Sequence, residues 1–275
     1  MIDKIPWGEG AEWLVDVLKD NFGLVLDFIY DILSGLMDVT LSILTALPDL
    51  AMILAIAIFS LLLTRKILLS TFIGIALLII WNMGLWELSM MTLTLVMVAA
   101  IISLVTGIPL GILSAKNNSF NNIMKVILDF MQTMPSFVYL IPVVILFRLG
   151  NVPGIIATVI FALPPVVRFT SLGIREVPKE FREVSDSFGT TWLQKLSKVE
   201  LPMAKPTIMA GINQCIMLSL SMVVISSMIG ALGLGRNVLI AIQRVDVALG
   251  FEAGLAVVLL AIILDRITQN VGSRQ

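Results

Sequence analysis

The sequence predicts an all-α membrane protein with about seven transmembrane helices and an amphipathic helix at the amino terminus. Hydrophobic residues fill 58% of the 275 positions and charged residues 13%. A soluble domain carries about 45–50% apolar and about 25% charged residues. Long stretches without Asp, Glu, Lys or Arg also recur along the chain. Lipid is therefore the expected solvent for much of it.

The amino-terminal segment, residues 1–47, places its acidic residues on one helical face. Five aspartates follow one another at intervals of 4, 7, 4 and 7 residues: Asp16, Asp20, Asp27, Asp31 and Asp38. Burying the last three in a bilayer would cost roughly 8–10 kcal/mol, at about 2.5–3.5 kcal/mol each. An amphipathic helix lying in the membrane interface avoids this cost and is the favoured interpretation. The alternative is an eighth span within 22–47 whose acids face the protein interior.

Residues 48–270 are predicted to form the transmembrane domain, followed by a cytosolic tail at 271–275. A helix that crosses the hydrocarbon needs about 20 largely apolar residues. The predicted spans are 49–64, 67–86, 89–113, 127–147, 153–170, 207–231 and 250–267.

Lys and Arg residues predict the orientation, since they are enriched on the cytosolic side of membrane proteins. With the amino terminus outside, thirteen of the eighteen lie in inner loops or the tail, and the other five lie outside. We therefore expect an outer amino terminus and a cytosolic carboxyl terminus.

Two features of the spans leave alternatives open. Prolines remove helical hydrogen bonds, and can either line a gate or form static kinks fixed by packing: Pro109, Pro135, Pro142, Pro164 and Pro165. Asp129 and Arg168 lie near the inner ends of neighbouring spans. They can pair with each other, or each can reach interfacial water, and the second interpretation is favoured.

Gly107 and Gly111 form a small-xxx-small pattern, which predicts close helix packing.

The longest charged stretch, residues 173–206, predicts a helix-turn-helix on the cytosolic side. Pro178 suits the first turn of a helix over 179–188, and Gly189 suits its left-handed end. Thr190 or Thr191 can cap a second helix over 192–199, whose extension Pro202 discourages. An ordinary basic loop would need neither these caps nor an apolar face. The apolar side chains expected to be exposed are Phe181, Phe188, Trp192, Leu193 and Leu196.

This loop resembles the EAA loop of binding-protein-dependent ATP-binding-cassette importers. Glu183, Gly189 and Leu201-Pro202 keep the family's spacing, while Val184 and Ser185 replace its two alanines. In the family this loop forms a coupling helix that docks into a groove of the ATPase subunit. The resemblance implies a type I importer-like fold, and these residues as the coupling site: Glu183, Ser185, Phe188, Gly189, Trp192, Leu201 and Pro202.

Three segments of the membrane core carry a second resemblance: residues 128–142, with their Met-Gln-Thr-Met-Pro sequence, 161–168 and 228–235. Through them the chain is similar, over about residues 50–270, to permeases for glycine betaine and proline betaine. The resemblance implies the permease subunit of an ATP-driven importer of glycine betaine or a related osmolyte, in a bacterial cytoplasmic membrane. Carnitine, choline and proline betaine are the alternative substrates. The resemblance also favours the interpretation that the prolines line a gate. The implied partners are a second copy of this chain, two ATPase subunits and an external substrate-binding protein, with substrate passing by alternating access.

A trimethylammonium substrate is usually held by an aromatic cage, and the spans contain few aromatic residues. We expect at most a weak site on this chain, with selectivity residing in the binding protein as the family implies. The candidate translocation path is Met131, Gln132, Met134, Pro135, Phe137 and Tyr139.

Several function classes are excluded or disfavoured by residue types. The chain contains no Gly-x-x-x-x-Gly-Lys-Ser/Thr phosphate loop, so ATP and Mg²⁺ are expected on the partner ATPase and no cofactor on this chain. It has no histidine and one cysteine, which argues against a metal site, and no nucleophile, base and orienting group of an enzyme converge. A net charge of −1 disfavours nucleic acid. An ion-coupled secondary transporter is the competing class, but the spans lack its repeats and mid-membrane carboxylates.

Overall fold

The fold is a bundle of helices, as the sequence predicts. A computed structural model describes residues 7–272, and no residue in that range lies in a β-strand. Lys4, Arg274 and most of the predicted tail lie outside these described residues. The elements are α1 (Trp7–Leu44), α2 (Asp49–Thr64), α3 (Ile67–Asn82), α4 (Trp86–Lys116), α5 (Asn118–Thr133), α6 (Ser136–Phe147), α7 (Asn151–Arg175), α8 (Lys179–Ser187), α9 (Trp192–Lys195), a π-helix (Leu196–Glu200), α10 (Leu201–Ser227), α11 (Leu234–Arg244) and α12 (Val247–Gly272).

The centre of the bundle is α7, which packs against both α4 and α10. Glycines allow the close approach. A Cβ atom at Gly107 would lie 2.8 Å from Val166 Cγ1, and one at Gly111 would lie 2.5 Å from Thr170 Cβ. The predicted small-xxx-small contact is therefore confirmed as an α4–α7 contact.

Each of the seven predicted spans overlaps at least one helix, but fewer than seven are continuous helices long enough to cross the membrane. Within residues 7–272, four helical segments are long and apolar enough to cross a membrane: Trp86–Lys116, Asn151–Arg175, Trp192–Ser227 and Val247–Asn270. The number rises to six if each of two bent helix pairs forms one span. The helices α2 and α3 have 16 residues each, about 24 Å at 1.5 Å per residue, against a hydrocarbon thickness of about 30 Å. They are short because Arg65 and Gly84 adopt left-handed conformations that end them.

The predicted span 127–147 is not one continuous helix. The chain forms α5 and α6 instead, bent by 97° to one another. Pro135 lacks an N–H group and disfavours a helical conformation for Met134, which is extended at φ −70° and ψ 128°. Of the five prolines predicted to interrupt helices, only Pro135 lies at a break between two helices. The other four, Pro109, Pro142, Pro164 and Pro165, lie inside continuous helices.

The amino-terminal helix α1 is bent by 95° against α2 and changes direction at Phe22, where φ is −116° and ψ is 17°. Leu33 and Met37 pack against residues of α4, α6 and α7. The five aspartates of its acidic face are exposed, so none of them faces the interior of this chain. The interfacial position of the helix stays a prediction.

Candidate functional site

The predicted hairpin on residues 173–206 is present, and its local conformation follows the sequence closely. Pro178 precedes α8, and Gly189 has a left-handed φ of +66° just beyond the end of that helix. The Thr191 hydroxyl accepts from the Gln194 backbone N–H, and the Gln194 side chain accepts from the Thr191 N–H. This capping box starts α9, so Thr191 is the cap.

The interior of the hairpin is held by side-chain hydrogen bonds between its two arms. Ser185 is buried, and its hydroxyl lies 2.6 Å from that of Thr190, which also donates to the Ser185 carbonyl at 2.9 Å. Lys195 forms an ion pair with Asp186. Ser185 therefore ties the first arm to the turn, whereas Glu183 is exposed.

An apolar face is exposed on the outside of the hairpin. Five large apolar side chains form this face. Phe188 is 82% exposed, and the other four, Phe181, Val184, Trp192 and Leu193, are each more than half exposed. The prediction for Leu196 is wrong, because that side chain is buried against Ile174 and Ala204. Val184 was missed, although its place in the family's spacing could have indicated it. We call this surface the apolar hairpin face: Phe181, Val184, Phe188, Trp192 and Leu193.

The second helix of the hairpin does not end before Pro202, contrary to prediction. It passes through the π-helix and continues into α10, with Leu201 and Pro202 in the first turn of α10. A proline inside an α-helix clashes with the carbonyl four residues earlier. The wider π turn just before Pro202 relieves that clash, and π turns are frequent at functional sites.

The root of the hairpin contains a buried charge cluster that sequence reasoning missed. The Glu200 side chain is 2% exposed; it accepts from Lys116 Nζ and lies near Arg182. The sequence neighbours of Glu200 are the apolar residues Val199 and Leu201. A single carboxylate between two apolar residues was the one sequence signal that could have indicated its burial. Its partners are distant in sequence and could not be found there.

The residues of the candidate translocation path do not share one surface. Met131 and Met134 are half-buried near the break between α5 and α6, while Gln132, Pro135 and Phe137 are exposed. Tyr139 is buried in a core cluster with Met222 and Ala157. Met134 packs against the same cluster, so Tyr139 and Met134 lie together while Gln132, Pro135 and Phe137 are exposed.

Asp129 and Arg168 form an ion pair, which corrects the preference for separate contacts with water. Both side chains remain substantially exposed, at 64% and 42%. The pair lines a cavity of about 400 Å³ together with Lys125 and Arg175. Exposed pairs contribute little to stability, so we expect a minor role for this one.

The sequence model of the family described as "Binding-protein-dependent transport system inner membrane component" matches residues 107–275. The match includes the whole hairpin and the helices α5 to α12. This chain belongs to that family. It is therefore a multi-pass permease of the inner-membrane type, and the apolar hairpin face lies within the family's shared region.

Related permeases match this one over nearly its whole length. It is 50% identical to the glycine betaine/carnitine transport permease protein GbuB of Listeria monocytogenes, over 98% of this chain and 96% of GbuB. It is 45% identical to the glycine betaine transport system permease protein OpuAB of Bacillus subtilis, over 98% and 95%. It is also 45% identical to the glycine betaine/proline betaine transport system permease protein ProW of Escherichia coli, over 96% and 73%.

The permease fold is similar to inward-facing structures of the MetNI methionine ABC transporter. The native crystal form gives a TM-score of 0.59 at 22% sequence identity, covering 68% of this chain and 95% of that chain. A form soaked with selenomethionine gives 0.57 at 22% identity, covering 67% and 90%. These likenesses confirm the predicted type I importer-like fold.

Proposed function

We propose that this permease imports glycine betaine or a related quaternary ammonium osmolyte, as a homodimer driven by two ATPase subunits and supplied by an external substrate-binding protein. The observation that carries the proposal is the apolar hairpin face, since a single chain leaves these five large side chains uncovered. Identities of 45–50% to relatives named for glycine betaine support the substrate class.

The apolar hairpin face has the chemistry of a docking surface for the ATPase subunit. Large exposed apolar patches mark interaction sites, and aromatic anchors carry much of the energy of such interfaces. Phe188 and Trp192 are the aromatic residues beside the Gly189 turn. ATP and Mg²⁺ would bind the partner, so the role of this chain is to receive movement and convert it to a change of access.

The break between α5 and α6 is where this chain would contact the substrate. Phe137 offers an exposed aromatic ring, which attracts a quaternary ammonium group. Gln132 offers an exposed amide as a hydrogen-bond donor to a carboxylate. With one aromatic ring in place of a cage, the contact would be weak, which leaves selection to the external binding protein.

Reconstitution of the permease with its ATPase and binding protein in liposomes tests this proposal, with uptake of labelled glycine betaine as the readout. We expect uptake that requires ATP, survives ionophores, and is lost in Phe188→Asp but retained in Phe188→Leu. The aspartate places a charge on the docking face without removing an internal contact, because Phe188 is exposed. Uptake that needs no ATP and disappears with the ion gradient would instead identify an ion-coupled secondary transporter.

Carnitine and proline betaine are the second candidates, because GbuB and ProW are named for them. Competition of each unlabelled compound against labelled glycine betaine, in the same liposomes, ranks the substrates. Complete competition by carnitine at lower concentration than by glycine betaine would reassign the substrate.

The orientation completes the proposal, with the hairpin in the cytosol and α1 on the outer side. The native Cys215 is buried and can be replaced by Ser, which leaves a background for single introduced cysteines. In intact cells, a membrane-impermeant thiol reagent should label Asn21→Cys and not Ser187→Cys. The reverse pattern would invert the topology.

A further inference from the structure

Four elements meet where the hairpin joins the membrane domain: the ends of α4 and α7, the middle of α8, and the π-helix. The Arg182 guanidinium, on α8, donates to the carbonyls of Ile174 and Arg175 at the end of α7. Arg175 Nη2 donates to the Ser114 carbonyl of α4 at 2.6 Å. The hairpin is thus tied to two different spans through polar contacts.

Glu200 is the centre of this junction. Among residues 7–272 it is the one buried acidic side chain. Lys116 Nζ, at the last residue of α4, donates to both carboxylate oxygens, with 2.6 Å to Oε1. Arg182 Nε lies 3.6 Å from the same Oε1 and has no hydrogen-bond partner of its own.

This arrangement carries a directional constraint that the surrounding apolar contacts lack. Ile174, Leu196 and Ala204 pack beside the cluster, but apolar contacts are non-directional and allow small sliding. A buried carboxylate, by contrast, is costly to leave unpaired, so Lys116 and Arg182 must follow it when it moves. Burial of Glu200 also reduces the screening of these charges by salt.

We propose that Lys116, Arg182 and Glu200 form a positioning cluster that transmits movement of the hairpin to α4 and α10. The inference rests on the proposed function, because it assigns the path by which ATP-driven movement enters the membrane domain. Arg182 moves with α8, Glu200 lies at the root of α10, and Lys116 ends α4. The π-helix between the apolar hairpin face and Glu200 supplies a turn that can rearrange without breaking the continuous helix.

The experiment measures substrate imported per ATP hydrolysed, in liposomes containing the complete importer. In Glu200→Gln we expect ATP hydrolysis and co-purification of the ATPase to persist, while uptake per ATP falls about tenfold or more, within the roughly 5–150-fold range of typical couplings between sites. Glu200→Asp keeps the charge and should recover most of the ratio. The control is Asp129→Asn, which breaks the exposed pair with Arg168 and should leave the ratio unchanged.

The double variant Lys116→Met/Glu200→Gln separates transmission from folding. The double variant does not leave a Lys116 ammonium without its carboxylate, and Arg182 keeps its hydrogen bonds to the Ile174 and Arg175 carbonyls, so thermal stability should return towards wild type. Uptake per ATP should nevertheless stay low. A ratio that recovers together with stability would reduce the cluster to a structural role, and so would a Glu200→Gln variant that loses hydrolysis and uptake in equal proportion.

Failure of the inference and failure of the proposed function give different results. If the wild type shows ATP-driven uptake and Glu200→Gln has the same uptake per ATP, the positioning role is wrong while the importer function stands. If the wild type shows no ATP-driven uptake, both are overturned.

Discussion

Replacing Gly111 by alanine tests how closely α4 and α7 are packed. A Cβ atom at this position would lie 2.5 Å from Thr170 Cβ and 2.8 Å from the Val167 carbonyl oxygen. Carbon atoms in good contact are about 3.5–4.0 Å apart. The two helices must therefore separate by about 1 Å, because the obstructing atoms belong to the backbone or to a Cβ and cannot rotate away.

Gly74→Ala provides a matched control for the size of the effect. Gly74 also lies inside a helix at a helix contact, but its Cβ would be 3.8 Å from Ala57 Cβ, which is ordinary contact. Alanine favours a helix over glycine by about 1 kcal/mol in both variants, so this gain cancels. Overpacking at Gly111 remains and should lower its free energy of unfolding relative to Gly74→Ala by about 1–3 kcal/mol.

The single cysteine provides the assay. Cys215 is fully buried, so a dye that fluoresces on reaction with a thiol reports its exposure as the purified permease unfolds on heating in detergent. We expect Gly111→Ala to unfold several degrees below Gly74→Ala, at about 2–4 °C per kcal/mol. Equal unfolding temperatures, or a higher one for Gly111→Ala, would refute the close packing of α4 on α7.

Three further predictions concern the hairpin and the path. Gly189→Asn should retain ATPase binding in a pull-down, because asparagine tolerates the left-handed conformation. Gly189→Val should weaken ATPase binding, because valine pays about 1–2 kcal/mol to adopt that conformation. Equal binding by the two variants would argue against a role for the turn. Thr191→Ala should make the hairpin more sensitive to protease by removing a cap worth about 1 kcal/mol, and Thr191→Ser should not; identical cleavage rates would contradict the capping role. Tyr139→Phe should leave uptake unchanged, because the buried hydroxyl that it removes is 4.0 Å from Met222 Sδ, a weak hydrogen-bond acceptor. A large loss of uptake would return Tyr139 to the translocation path.

Sequence reasoning succeeded where the controlling interactions are local. Pro178, Gly189 and Thr191 act on backbone groups within a few residues, so their spacing predicted where the first arm of the hairpin begins and ends and where the second arm begins. It failed for Leu196, whose burial depends on Ile174 and Ala204 elsewhere in the chain. It also placed a single span over Pro135, since hydropathy measures apolar length and ignores a bend.

The amino-acid sequence by itself determined that this is a membrane protein, where most of its apolar helices lie, and that a capped hairpin leaves the membrane domain. These follow from hydropathy and short-range backbone chemistry. Only the tertiary structure decided which side chains meet. Glu200 and Lys116 are 84 positions apart and pair because the ends of α4 and α10 pack together. A carboxylate's sequence neighbours do not reveal its charge partner, since that partner is chosen by the fold.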